Sequence, residues 1–151
     1  MELSLRKAAP DDMDLLFEWA NDADVRRNAF NTNAIPYAEH QKWFGRVLAD
    51  KDIMQYIMCD GGQPVGQIRL NIEGKGAYID YSIARSVRGK GLGSSILKLM
   101  EREVIDNAPN IAELVGQVKY GNEPSAHAFE KCGYIRTDRD NFIEYKLDIR
   151  R

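Results

Sequence analysis

The chain has 151 residues, 44% hydrophobic and 29% charged, with a formal net charge of −2. That length suits one domain with a sizeable core, spanning residues 1–151, and the balanced charge gives no general attraction to nucleic acid or an anionic membrane. The N-terminal MELSLRKAAPDD has no apolar signal core and no apolar run is long enough for a bilayer, so a cytoplasmic protein is expected.

ELSLRKA reads as a strand, and DDMDLLFEWA after Pro10 as a helix with acidic residues at its start. NDADVRRNAFNTNAI is polar and turn-rich, a loop with room for short helical pieces. YAEHQKWFGRVLAD then places Trp43, Phe44, Val47 and Leu48 on one helical face. DIMQYIMC and PVGQIRLNI form a hairpin across DGGQ, and EGKG turns the chain into AYIDYSIA. From Leu92 to Ile105, the residues Ile96, Leu97, Met100 and Val104 make an apolar stripe. IAELVGQVKY is a strand, NEPSAHAFEKCGY a helix closed by Gly133, and YIRTD and FIEYKLDI a final hairpin. The order βααβββαβαββ implies an α/β fold, a mixed sheet with helices packed against it.

Cys59 and Cys132 stand far apart, and His40 and His127 lack ligand spacing, so neither a disulfide framework nor a metal site is expected. The chemistry concentrates in SVRGKGLGSS, which joins a strand to a helix and carries three alternate glycines. It is not GxxxxGK[ST], because Lys90 precedes the last glycine. It is not GxGxxG, because Ile96 stands where the last glycine would fall. It does fit R-x-x-G-x-G from Arg88 to Gly93. Glycines let backbone approach a phosphate closely, and a helix N-terminus adds free N–H donors and a positive dipole end.

IDYSIARSVRGKGLGSSIL resembles motif A of the GNAT superfamily, the Gcn5-related N-acetyltransferases, and NEPSAHAFEKCGY resembles its motif B. The resemblance implies the GNAT fold, a twisted, mostly antiparallel sheet of about seven strands with four helices. It implies acetyl-CoA as co-substrate and no metal. Backbone N–H groups of Arg88, Gly89, Lys90, Gly91, Leu92 and Gly93, with Ser94, would take the CoA pyrophosphate. Ile83 and Ala84 would pair with the pantetheine arm, in a wedge where the strands of Tyr81 and Val118 diverge. Asn122 would contact the cofactor, cap its helix, or do both.

Acetyl transfer needs a deprotonated amine, a donor for the oxyanion, and a proton for the thiolate. Many family members supply that proton from a tyrosine seven residues after the motif B asparagine, where this chain has Phe129. Tyr120 and Tyr134 carry phenols but read more simply as packing. Asp80 shares a strand face with Tyr78 and Ser82, away from Ile79, Tyr81 and Ile83. It is the candidate for holding or deprotonating the amine, against the plainer reading of a solvated carboxylate.

In the GNAT fold the first two helices shape the acceptor site. W-x-N-D, V-R and H-x-x-W-F in EWANDADVRRNAFNTNAIPYAEHQKWF resemble acetyltransferases of nucleotide-linked amino sugars in surface-glycan and flagellin-modification (pseudaminic acid type) pathways. Ribosomal-protein acetyltransferases share the W-x-N-D part. Arg26 and Arg27 are candidates for the diphosphate and His40 for the base or ribose, although a core histidine is an equal reading. Core packing is the simpler role for Trp19, Trp43 and Phe44. A protein N-terminus or a small amine is the alternative acceptor, and a non-catalytic acyl-CoA-binding module the alternative class. A homodimer is a possible assembly.

Overall fold

A computed structural model describes residues 1–150. Strand β1 (Leu3–Lys7) leads through a 3-10 turn, Pro10–Asp12, into α1 (Met13–Ala20), α2 (Ala23–Asn28) and α3 (Tyr37–Ala49). Then come β2 (Ile53–Asp60), β3 (Gln63–Glu73), β4 (Gly76–Ile83), a 3-10 turn Arg85–Val87 and α4 (Leu92–Asn107). β5 (Glu113–Val118), α5 (Glu123–Lys131), β6 (Ile135–Asp138) and β7 (Ile143–Asp148) complete the chain. The strands form one seven-stranded sheet, β1-β2-β3-β4-β5-β7-β6. Among the described residues only β4 and β5 run parallel.

This is the expected mixed, mostly antiparallel sheet, with five helices where four were predicted. The addition is α2, inside the segment read as a loop. Its six residues show no apolar stripe, so periodicity could not find it. Asp22 starts it, accepting the Asp24 and Val25 N–H groups at 3.0 and 3.2 Å. The acidic start of α1 also does more than complement a helix. Asp12 is buried, forked by Arg6 at 2.8 and 2.9 Å, and this pairing holds its carboxyl below the usual range.

Each sheet face carries its own core. Met58, Ile68, Leu70, Ile96, Leu97, Met100, Leu114 and Tyr145 fill the side covered by α4 and α5. Leu16, Phe44, Ile57 and Cys59 fill the side under α1 and α3, with Trp19 and Trp43 packed against them. Leu48, predicted on the apolar face of α3, is 39% exposed. The buried stripe runs His40, Phe44, Val47, and the next position rolls into solvent. Among the described residues no helix is long and apolar enough to cross a membrane.

Candidate active site

β4 and β5 pair from Gly76–Glu113 to Ile79–Gly116 and then part, although β4 runs on to Ile83 and β5 to Val118. The Ala84 N–H donates to the Val65 carbonyl at 2.9 Å. By strand alternation, Ser82 and Asp80 turn their backbone to β3, and Tyr81 and Ile83 turn theirs to the gap. Ala84 cannot pair with a pantetheine arm as expected, because its carbonyl is also taken, by the Val87 N–H at 3.1 Å. The Ile83 carbonyl accepts Arg88 Nε at 2.9 Å. What faces the gap is the Tyr81 backbone and the Ile83 N–H.

At the open end of the gap lies the glycine loop. Gly89 and Gly91 have φ of +81° and +77°, the left-handed region where only glycine sits without strain. This alternation curls successive N–H groups to one side, an anion nest. Among the described residues no protein group accepts the N–H of Gly89, Lys90, Gly91, Leu92, Gly93 or Ser94. The Arg88 N–H, expected in this set, instead closes the 3-10 turn onto Arg85. The Ser94 hydroxyl is committed to the Gly91 carbonyl at 3.1 Å, so its contribution is its N–H. Gly93 is small for another reason, since an added Cβ would lie 3.4 Å from both Ala128 Cβ and the Tyr81 hydroxyl. Asn122 caps α5, its Oδ1 accepting the Ser125 N–H at 3.4 Å. Lys90 is exposed.

A cleft of about 1350 Å³ joins this loop to the α1–α3 side of the sheet. There the side chains of β2, β3 and β4 form a polar relay. Gln55 Nε2 donates to Gln67 Oε1 at 2.9 Å, and Gln67 Nε2 donates to Asp80 Oδ1 and Ser82 Oγ, each at 3.2 Å. Arg69 reaches Asp80 at 3.5 Å and lies 4.9 Å over the Trp43 ring. The Asp80 side chain is 57% exposed. It is therefore oriented from below and open to the cleft. Gln55, Gln67 and Arg69 were missed in sequence, although the spacing of two between Gln67 and Arg69 along β3, against Asp80 on β4, was the available signal.

The other acid candidates separate clearly. Tyr120 donates to the Arg139 carbonyl at 2.6 Å, and the Tyr134 hydroxyl is buried without a partner in the core. Among the described residues the tyrosine that lines the cleft is Tyr81, its hydroxyl 3.0 Å from Ser125 Oγ. Burial pushes its phenol up to about 12, so it stays protonated and able to donate. The Phe129 ring packs at Gly116, the last paired residue before the strands part.

The expected acceptor residues are largely spent on structure. Arg26 Nε donates to the Ala20 carbonyl at 2.8 Å, and Nη1 to those of Asn31 and Asn33 at 3.1 Å. It staples the chain on both sides of α2 instead of waiting for a diphosphate. Arg27 pairs with Asp24 at 2.6 Å. His40 is 2% exposed, its Nε2 lying 3.0 Å from the Met13 carbonyl, and its ring stacks on Phe44 at 6.1 Å. It is a core histidine.

Burial holds the His40 pKa below its ordinary 6.5. The unfolded chain therefore binds a proton that the folded ring refuses, and stability falls as pH drops through that value and is full above it. The urea midpoint is expected to be lower at about pH 5.5 than at about pH 7.5, and to lose most of this difference in His40→Leu. Asp12 and Asp22 titrate below the ordinary 3.8 of an aspartate, outside this window. An equal difference in the variant would place the titration on another group.

Residues 2–135 match the family model described as Acetyltransferase (GNAT) domain. A search of curated protein sequences finds no match. Among solved structures, the aminoglycoside acetyltransferase AAC(6′)-Ib with ribostamycin and coenzyme A is 21% identical, over 98% of this chain and 94% of that one, with a TM-score of 0.85. Spermidine N-acetyltransferase from Vibrio cholerae with CoA and spermine is 16% identical over 97% and 95%, TM-score 0.86. The ribosomal L7/L12 alpha-N-protein acetyltransferase RimL with coenzyme A is 19% identical over 98% and 94%, TM-score 0.83.

Proposed function

The chain belongs to the GNAT acetyltransferase family, and on that premise we propose that it transfers acetyl from acetyl-CoA directly to the primary amine of a nucleotide-linked amino sugar. The observation that carries this reading is one continuous cleft joining the open N–H nest, the parted edge of β4 and the polar face around Asp80. The nest from Gly89 to Ser94 would take the pyrophosphate. The pantetheine arm would add to β4 as an extra strand against Tyr81 and Ile83. An oxyanion forming at the thioester carbon would meet a backbone N–H of the same edge.

Asp80 would receive the acceptor ammonium and take its proton. The free amine then attacks the acetyl carbon, the C–S bond breaks, and the second N–H proton of the tetrahedral adduct passes to the departing sulfur through a protonated hydroxyl that gives its own proton and takes the other up. Phe129 cannot donate one, and Tyr81 supports that part best. The hydroxylated body of a sugar suits the amides and hydroxyl of Gln55, Gln67 and Ser82 beside the flat Trp43. Lys42 and Arg46, which share the cleft-lining side of α3 with Trp43 and form no ion pair among the described residues, replace Arg26 and Arg27 as candidates for the diphosphate.

Thiol release from acetyl-CoA, measured against UDP-, CMP- and dTDP-linked amino sugars, polyamines, aminoglycosides and peptide N-termini, tests the acceptor. Turnover confined to peptides or polyamines would reject the sugar assignment. Asp80→Asn is expected to lower kcat/KM by about 10²-fold, the lower end of general-base contributions, with acetyl-CoA affinity unchanged. A near-normal pH–rate profile in that variant would remove Asp80 from the chemistry.

A further inference from the structure

Helix α2 is tied at both ends to the chain just beyond the two strands that part. At its start, Asp22 and Asp24 form ion pairs with Arg85 and Arg88 from the segment following β4. Arg88 Nη2 meets Asp22 at 3.0 Å and Arg88 Nη1 meets Asp24 at 3.0 Å; Arg85 Nε meets Asp22 at 3.0 Å. At its end, Lys119, the residue after β5, donates to the Arg27 and Ala29 carbonyls at 3.0 and 3.3 Å. A cation on the last carbonyls of a helix is favourable in itself.

Between these anchors the segment is stapled as a unit. Arg26 holds three carbonyls around it. The Asn21 side chain exchanges two hydrogen bonds with the Ile35 backbone, at 2.8 and 3.0 Å. Residues 24–30 line the cleft. All three nitrogens of the Arg88 guanidinium are engaged, Nε with the Ile83 carbonyl and the other two with the carboxylates, which fixes its plane against the strap.

We propose that α2 is a strap anchored across the mouth of the β4–β5 gap, and that Asp22 and Lys119, which lie outside the cleft lining, are positioning residues that place the acceptor amine without touching either substrate. Through Arg88 the strap is registered on the Ile83 edge of β4, and through Lys119 on the end of β5. Loosening either anchor lets the acceptor wall move while the nest, which starts at Gly89, keeps its shape. The inference rests on acetyl transfer at this cleft and not on which amine is acetylated.

Asp22→Asn keeps the helix cap and removes the charge; Lys119→Met keeps most of the stem and removes the donor. Each is expected to lower kcat/KM by about 10-fold for both a UDP-linked amino sugar and glucosamine, since small misplacements of a reacting amine cost that much or more. Acetyl-CoA affinity by calorimetry should stay within about 3-fold. Amide hydrogen exchange of α2 should quicken while α4 stays protected. Because both anchors hold one strap, the double variant should lose less than the product of the single losses. Acetyl-CoA affinity falling in step with the acceptor parameters would assign the network to the cofactor site and overturn the proposal, as would unchanged acceptor parameters or unchanged α2 exchange. A wild type that turns over neither amine sinks the sugar assignment alone, and the exchange rates then judge the strap.

Discussion

Gly91→Val is expected to weaken acetyl-CoA binding on the order of 10³-fold while leaving the fold and acceptor binding in place. Gly91 has φ of +77° and an added Cβ would meet nothing within 4 Å, so the free protein has room for it. The damage arises in two other ways. A β-branched residue is strained in the left-handed region, and its side chain would project from the loop whose N–H groups form the nest. The Gly91 carbonyl also receives the Ser95 N–H and both serine hydroxyls at 3.1 to 3.4 Å, so relief of strain shifts the start of α4. Losing two charge-assisted hydrogen bonds at about 2 kcal/mol each gives about 4 kcal/mol, or roughly 10³ in affinity. Calorimetry with acetyl-CoA on a variant of native circular dichroism measures this. Unchanged affinity would mean that the pyrophosphate lies elsewhere.

How far this site can be read from sequence depends on what holds each part in place. Apolar periodicity carries the α4 stripe of Ile96, Leu97, Met100 and Val104, all buried as expected. Period two carries the opposite orientation of Asp80 and Tyr81 on β4. Both are local properties. The pantetheine edge depends on strand register, and there a shift of one residue reverses which backbone groups face the gap. Ala84 was expected there, but its N–H and carbonyl are taken by Val65 and Val87, and the Tyr81 backbone and Ile83 N–H face the gap instead. α2 has no local signature beyond its cap, because tertiary ion pairs to Arg85 and Arg88 and the hydrogen bonds from Lys119 to its last carbonyls hold it. The Arg26 guanidinium could have pointed at a ligand or at its own loop, and sequence carries no information that separates the two. The three loop glycines looked alike, yet Gly89 and Gly91 serve conformation and Gly93 serves the approach of α4 to Tyr81 and Ala128.

Gly116 was not singled out in sequence at all, yet its substitution is expected to be among the most damaging in the chain. A Cβ added there would fall 2.6 and 2.9 Å from Cε1 and Cε2 of Phe129 and closer still to Cζ. The ring cannot swing aside. It is 2% exposed, stacked on Tyr145 at 5.2 Å, and met edge-on by Tyr134 at 4.9 Å and Tyr81 at 5.9 Å. Either β5 moves, breaking its register with β4 and β7, or three aromatic contacts are lost together. Overpacking of this kind costs about 1–3 kcal/mol in ordinary sites, and with a ring trapped on three sides about 3 kcal/mol or more is expected for Gly116→Ala. Phe129→Leu alone should also destabilise, by leaving a cavity. In the double variant the shorter side chain makes room for the methyl, so Gly116→Ala should cost much less in the Phe129→Leu background than in the wild type. Urea unfolding of the four proteins measures the coupling. Because Gly116 is the last paired residue before the strands part, the single variant should also lose acetyl-CoA affinity at temperatures where it remains folded. A Gly116→Ala protein as stable as the wild type would show that the Phe129 ring does not pack at the fork, and would reopen the question of which aromatic residue closes the gap from below.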